Sequence, residues 1–93
     1  MENSIKPQIA PITIRSYEQL GNTIRRIRKL IKLSQSDLAK KAGMTQTTIS
    51  NLESGKTVAE VGTLLLILAA LNIDMIITAR LKDDKKNLLE GLF

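Results

Sequence analysis

Five of the six residues from Thr45 to Ser50 carry a hydroxyl or an amide: Thr45, Gln46, Thr47, Thr48 and Ser50. Each of these side chains both donates and accepts hydrogen bonds. A glutamine can pair with N6 and N7 of adenine in a bidentate bond, and threonine methyls can touch thymine methyls, so this cluster has the chemistry to read base edges. The plain alternative is a solvated polar helix face. Cations crowd the same stretch. From Gly21 to Lys56 there are eight, namely Arg25, Arg26, Arg28, Lys29, Lys32, Lys40, Lys41 and Lys56, against two anions, Asp37 and Glu53. The stretch therefore carries +6 of a net charge of +5, leaving −1 for the rest of the 93 residues. Charge concentrated in this way favours a polyanionic partner, although a charged face can also simply be solvated.

Groups that would make the chain an enzyme are missing. There is no Cys and no His, which removes disulfides, the common zinc ligand sets and the nucleophile–base pairs built on those residues. The only adjacent acidic pair, Asp83-Asp84, sits among Lys82, Lys85 and Lys86. No glycine-rich phosphate loop and no cluster of metal ligands is present, so no catalytic residue, cofactor or metal is expected. The first sixteen residues lack the apolar core of a signal peptide. The longest apolar run, Leu64 to Leu71, has eight residues. That is about 12 Å of helix against a bilayer core of about 30 Å. The expected location is the cytoplasm, on the nucleoid, with no membrane partner.

The elements that must hold the polar cluster are legible from periodicity and punctuation. Residues 1–15 contain Pro7 and Pro11 and are expected to form a non-helical arm. A first helix is expected to start at Ser16, with Gln19 three residues on completing a capping box. Leu20, Ile24, Ile27 and Ile31 form its apolar stripe. Gly21 reads as a weak point, about 1 kcal/mol worse than alanine inside a helix. Ser34 with Asp37 caps a second helix whose inward residues are Leu38, Ala39 and Ala42, and Gly43 stands where a left-handed stop is wanted. Thr45 then caps a third helix that starts at Gln46, turns Ile49 and Leu52 inward and ends at Gly55. Two short helices joined by a glycine-bearing turn give the helix-turn-helix outline.

A fourth helix is expected from about Glu60 to Leu71. Its centre, LLLILAAL, is apolar all round, so one small chain can hardly cover it and part of it should meet another chain. Residues 73–80, rich in β-branched side chains, read as a strand. A lone strand leaves its edges unpaired, and pairing with a second copy is the simple remedy, making Leu68, Ile73, Met75, Ile76 and Ile77 the candidate dimer residues. Pairing within the chain against Ile12 to Ile14 is the alternative. The tail, residues 81–93, is polar except for Leu88, Leu89, Leu92 and Phe93. It reads as a helix end docking on its own domain, a partner-binding tail or a disordered end.

The string SQSDLAKKAGMTQTTISNLESGK, Ser34 to Lys56, resembles the lambda-repressor-like or Xre-type helix-turn-helix family. The likeness extends from Arg25 to Leu71 and rests on Leu33, Gln35, Leu38, Ala39, Gly43, Gln46, Ile49, Ser50, Leu52, Glu53, Gly55 and Leu64-Leu65 together. It implies a mostly α, four- to five-helix DNA-binding domain over residues 16–72. In such a domain the N-terminal end of the second short helix enters the major groove. Base contacts are then expected from Gln46 and Thr47, with Ser50 and Thr48 next. Phosphate contacts are expected from Gln35, whose helix N-terminus favours an anion, and from Thr45, Lys56, Arg25, Arg26 and Asn51. The resemblance also implies that Gln35 braces Gln46 and that Arg28 and Glu53 form a structural salt bridge.

Within that family the residues are most similar to the HipB-type antitoxins. SYEQLGNTIRRIRK at the start, the string SDLAKKAGMTQTTISNLESGK, and the direct step from the fourth helix through Asn72 into IDMIITA carry this closer likeness. It implies that residues 73–80 form a lid across a dimer, and that the chain represses its own operon from a palindromic double-stranded operator. It also implies binding of a HipA-type serine/threonine kinase toxin, with Leu89, Leu92 and Phe93 as a candidate toxin-binding tail. Two other roles compete: a stand-alone phage-like repressor without a toxin, and an adaptor whose domain binds protein and not DNA.

Overall fold

The computed structural model describes residues 6–80, which hold four helices: α1 (Tyr17–Leu30), α2 (Gln35–Ala42), α3 (Gln46–Glu53) and α4 (Val61–Ala70). Side-chain caps set the starts of α1, α2 and α3, while α4 follows Glu60 without a side-chain cap bond. The Ser34 hydroxyl accepts from the Asp37 backbone N–H at 2.9 Å while the Asp37 carboxylate accepts from the Ser34 N–H at 3.2 Å, a complete capping box. Two hydrogen bonds from Ser34, backbone first, hold the Asp37 carboxyl below its ordinary range. Thr45 caps α3 through Thr48 N–H at 3.2 Å. At α1 the expected box is only half present. Ser16 accepts from Gln19 N–H at 3.0 Å, but the Gln19 amide reaches past Ser16, accepting from Arg15 N–H at 2.7 Å and donating to the Thr13 carbonyl at 2.8 Å. A glutamine is long enough to hold the chain before the cap, and here it fastens the arm to the helix.

All four helices stop in the same way. An N–H two or three residues past the end of each helix returns to a carbonyl five residues back: Leu33 to Arg28, Met44 to Ala39, Lys56 to Asn51 and Ile73 to Leu68. The residue just before each returning N–H is left-handed, with φ of 61° at Lys32, 74° at Gly43, 75° at Gly55 and 61° at Asn72. This is the Schellman stop, and glycine takes its backbone angle without steric cost. Lys32 adopts the same angle without that freedom.

The core draws on every helix. Ile24, Leu38, Ile49, Ile67 and Leu71 are almost completely buried, with Ile27, Ile31, Ala39, Ala42 and Leu52 around them. These include the inward residues expected of the first three helices, apart from half-buried Leu20. α3 packs against both α1 and α2, and α2 packs against α4. Gly21, expected to weaken α1, lies instead where α1 meets the last turn of α3. A Cβ there would fall inside van der Waals contact of the Leu52 carbonyl oxygen and 2.8 Å from that of Glu53.

One face of α4 stays bare. Val61, Leu65 and Leu66 are exposed, Leu65 by 48% and Leu66 by 55%, whereas Leu68 is buried. Residues 73–80 leave α4 without regular structure, and among the described residues no β-ladder forms, either here or with residues 12–14. Ile73 packs against the core, while Met75, Ile76 and Ile77 face outward, Ile77 by 96%. Of the five candidate dimer residues, Leu68 and Ile73 therefore serve the chain's own interior and the other three are open. Leu88, Leu89, Leu92, Phe93 and the Asp83-Asp84 pair lie outside the described residues. Among the described residues no helix is long and apolar enough to cross a membrane.

Candidate nucleic-acid interface

A buried ion pair fixes α3. Arg28 Nε donates to Glu53 Oε2 at 2.6 Å and Arg28 Nη2 to Glu53 Oε1 at 2.9 Å, a bidentate fork. Arg28 Nη1 also donates to the Leu33 carbonyl at 2.8 Å. One guanidinium thus ties the end of α1 to the end of α3 and to the turn that leads into α2. Both side chains are nearly inaccessible, 8% and 2% exposed, and among the described residues no buried side-chain nitrogen or oxygen lacks a partner. Burial pushes the Glu53 carboxyl upward, but the hydrogen bonds from Arg28 and Gln35, aided by the charges of Arg28 and Arg25, outweigh it and hold Glu53 below its ordinary value.

The chain of contacts continues outward. Gln35 Nε2 donates to Glu53 Oε1 at 3.0 Å, and Gln46 Nε2 donates to Gln35 Oε1 at 3.4 Å, a long bond. The brace expected between Gln35 and Gln46 is present, and it is anchored on the ion pair. Gln46 and Thr47 are exposed at the first two positions of α3, while Thr48, Ser50 and Asn51 are half-buried. Thr48 is partly committed: its hydroxyl lies 3.0 Å from that of Thr45, inside the cap. Thr45, Lys56, Arg25 and Arg26 are all exposed.

A shallow groove runs beside this face, lined by Glu18, Asn22 and Arg25 of α1, Gln35 of α2, and Ser50, Glu53 and Ser54 at α3. It separates Arg25, which lines the groove, from Arg26, which does not. It also brings in three polar residues that no sequence motif singles out, Glu18, Asn22 and Ser54. Their signal was periodicity: Ser54 is seven residues after Thr47, and Asn22 lies between Glu18 and Arg25 at spacings of four and three, so each shares a helix face with its neighbours.

Residues 24–76 match the helix-turn-helix family. Over 62 residues the chain is 39% identical to the antitoxin HipB of Escherichia coli O6:H1, covering 67% of this chain and 66% of that protein, just under two thirds of its length. The structure superposes on the HipB–O4 20mer complex with a TM-score of 0.67 at 36% identity, over 72% of this chain and 94% of that one. It superposes on the HipA–HipB–O2–O3 complex with a TM-score of 0.66 at 36% identity, over the same shares. A four-helix fold, a polar helix end carried outward on a buried ion pair, and these likenesses agree: the chain belongs to the Xre-type helix-turn-helix family of DNA-binding regulators and is similar within it to the HipB antitoxins.

Proposed function

We propose that the chain is a sequence-specific repressor that binds a palindromic operator as a homodimer and acts as the antitoxin of a HipA-type kinase. The observation that carries this reading is the exposed start of α3, where Gln46 and Thr47 stand free of the core while Gln35, Glu53 and Arg28 hold the helix behind them. In this reading Gln46 and Thr47 read bases, with Ser50 and Thr48 beside them. Gln35, Thr45, Lys56, Arg25, Arg26 and Asn51 grip phosphates, giving affinity and register without sequence information.

Gln46→Ala should cost roughly 1–3 kcal/mol on the operator and less on random DNA. Band-shift titrations on both duplexes measure this, and equal losses would remove Gln46 from the list of readers. The same titrations run against salt test the wider proposal. A steep fall of affinity with salt supports phosphate binding, whereas no measurable binding at low salt supports the protein-binding adaptor instead. Binding of purified HipA-type kinase to the chain separates an antitoxin from a stand-alone repressor.

The bare face of α4 and the outward Met75, Ile76 and Ile77 support assembly of two copies through residues 73–80. Two recognition helices would then sit about 34 Å apart, one turn of DNA or a multiple of it between half-sites. Ile76→Asp should leave monomers, because a charge placed in a strand pair has no partner there. Sedimentation velocity reads the outcome, and an unchanged dimer would reject pairing through this segment.

A further inference from the structure

The hydrogen-bond chain at the interface has a direction, and Glu53 sets it. An ionised carboxylate only accepts hydrogen bonds. Glu53 takes both bonds from Arg28 and then, at 3.0 Å, one from Gln35. Gln35 must therefore turn its NH2 inward and its carbonyl outward. That carbonyl only accepts, so Gln46 must turn its own NH2 toward it, across 3.4 Å. A solvated glutamine amide is free to rotate by half a turn, exchanging oxygen and nitrogen. Here each amide in the chain has one orientation, passed outward from the carboxylate.

One N–H of Gln46 is thereby occupied. What remains is one N–H beside one carbonyl oxygen, a donor next to an acceptor. Adenine presents the matching pair in the major groove, the N7 acceptor and the N6 donor, whereas guanine presents two acceptors, N7 and O6. We propose that Glu53 is a positioning residue for base selection: acting through Gln35, it fixes the Gln46 amide in the orientation that accepts adenine and refuses guanine. This rests on the base-reading role given to Gln46 above. A group able to donate at position 53 would let the chain run the other way. Gln46 would then spend its oxygen on Gln35 and offer two N–H groups, which suit guanine.

The test begins with selection of bound duplexes from a random 20-base-pair pool by the wild-type chain and by Gln46→Ala. The position whose preference disappears in the variant is the one that Gln46 meets. There the wild type should prefer adenine to guanine by about tenfold or more, the range of a good bidentate contact. Gln35→Met keeps the ion pair and cuts the chain. Arg28→Met with Glu53→Gln removes both buried charges together and allows either amide orientation. Both variants should bring the preference to about threefold or less; the ratio compares bound duplexes with one another, so a weaker phosphate grip in Gln35→Met does not enter it. In the DNA-free proteins the side-chain NH2 signals of Gln46 should move in the double variant, although Gln46 touches neither substituted residue.

A merely structural role for Glu53 would lower affinity for all sequences together and leave the adenine-to-guanine ratio where it was. Retention of that ratio in folded Gln35→Met overturns the proposal even if the double variant does not fold. So does a wild type that reads guanine as well as adenine at the Gln46 position. A wild type that enriches no sequence at all removes the base-reading role instead, and the proposal falls with it.

Discussion

Glu53→Ala should destabilise the fold by about 3–5 kcal/mol, because it leaves the Arg28 guanidinium buried without its partner. A domain of this size has roughly 5–15 kcal/mol to lose, so the variant should be largely unfolded on modest heating. The magnitude follows from position. Arg28 and Glu53 are both buried, their fork has two bonds, and the same guanidinium closes the turn at Leu33. Replacing both residues with uncharged ones of similar size should cost much less, since no orphan charge remains.

The pair also dictates the response to acid. Glu53 ionises more readily in the folded chain than its ordinary value of 4.5. A group whose folded value is depressed contributes stability above its unfolded value and loses it as pH falls through the folded one. Asp37, lowered by its bonds to Ser34, acts in the same direction. Urea unfolding followed by circular dichroism should show full stability near neutral pH and a decline once the pH drops below about 4.5, the ordinary value of Glu53. The decline should be shallower in Arg28→Met with Glu53→Gln. A wild type that grows more stable on acidification would contradict the sign assigned to Glu53.

Gly21→Ala should destabilise by about 3 kcal/mol, the upper range for overpacking a tight contact. Intrinsic helix propensity argues the other way, by about 1 kcal/mol in favour of alanine. The contact decides. The new methyl would meet the backbone carbonyls of Leu52 and Glu53, which are held by their own helix and cannot rotate away as a side chain would. α1 and α3 would have to part, and Glu53 is the residue that Arg28 must reach. Gly62 supplies the control. A Cβ there meets nothing within 4 Å, so Gly62→Ala should be neutral or gain up to about 1 kcal/mol. Thermal melts of the two variants should move in opposite directions, or at least differ widely. Equal shifts would mean that the approach of α1 to α3 is looser than 2.8 Å implies.

The contrast at Gly21 marks what the sequence can and cannot convey. Caps at Ser34 and Thr45, the stop at Gly43 and the inward faces of α1 to α3 are local matters of spacing and residue type, and they were legible. So was the position of Gln46 and Thr47, because the turn before them counts out their place. The value of a glycine facing another helix depends on residues 31 and 32 positions away, Leu52 and Glu53, and no local pattern announces it. Gln19 reaches past Ser16 for a similar reason: length permits two targets, and the arm's path selects one. Lys32 gives no sign that it must adopt a left-handed angle, since the stop it serves is usually built on glycine. Residues 73–80 have the composition of a strand, yet a ladder needs a neighbour, and among the described residues none pairs with them.

α2 and α3 are each only eight residues long. Helices shorter than about 12–15 residues are marginal in water by themselves, so the surface they form has no existence apart from the domain that carries it. Melting and loss of that surface are consequently one event, and whatever occupies it holds the whole domain together by mass action.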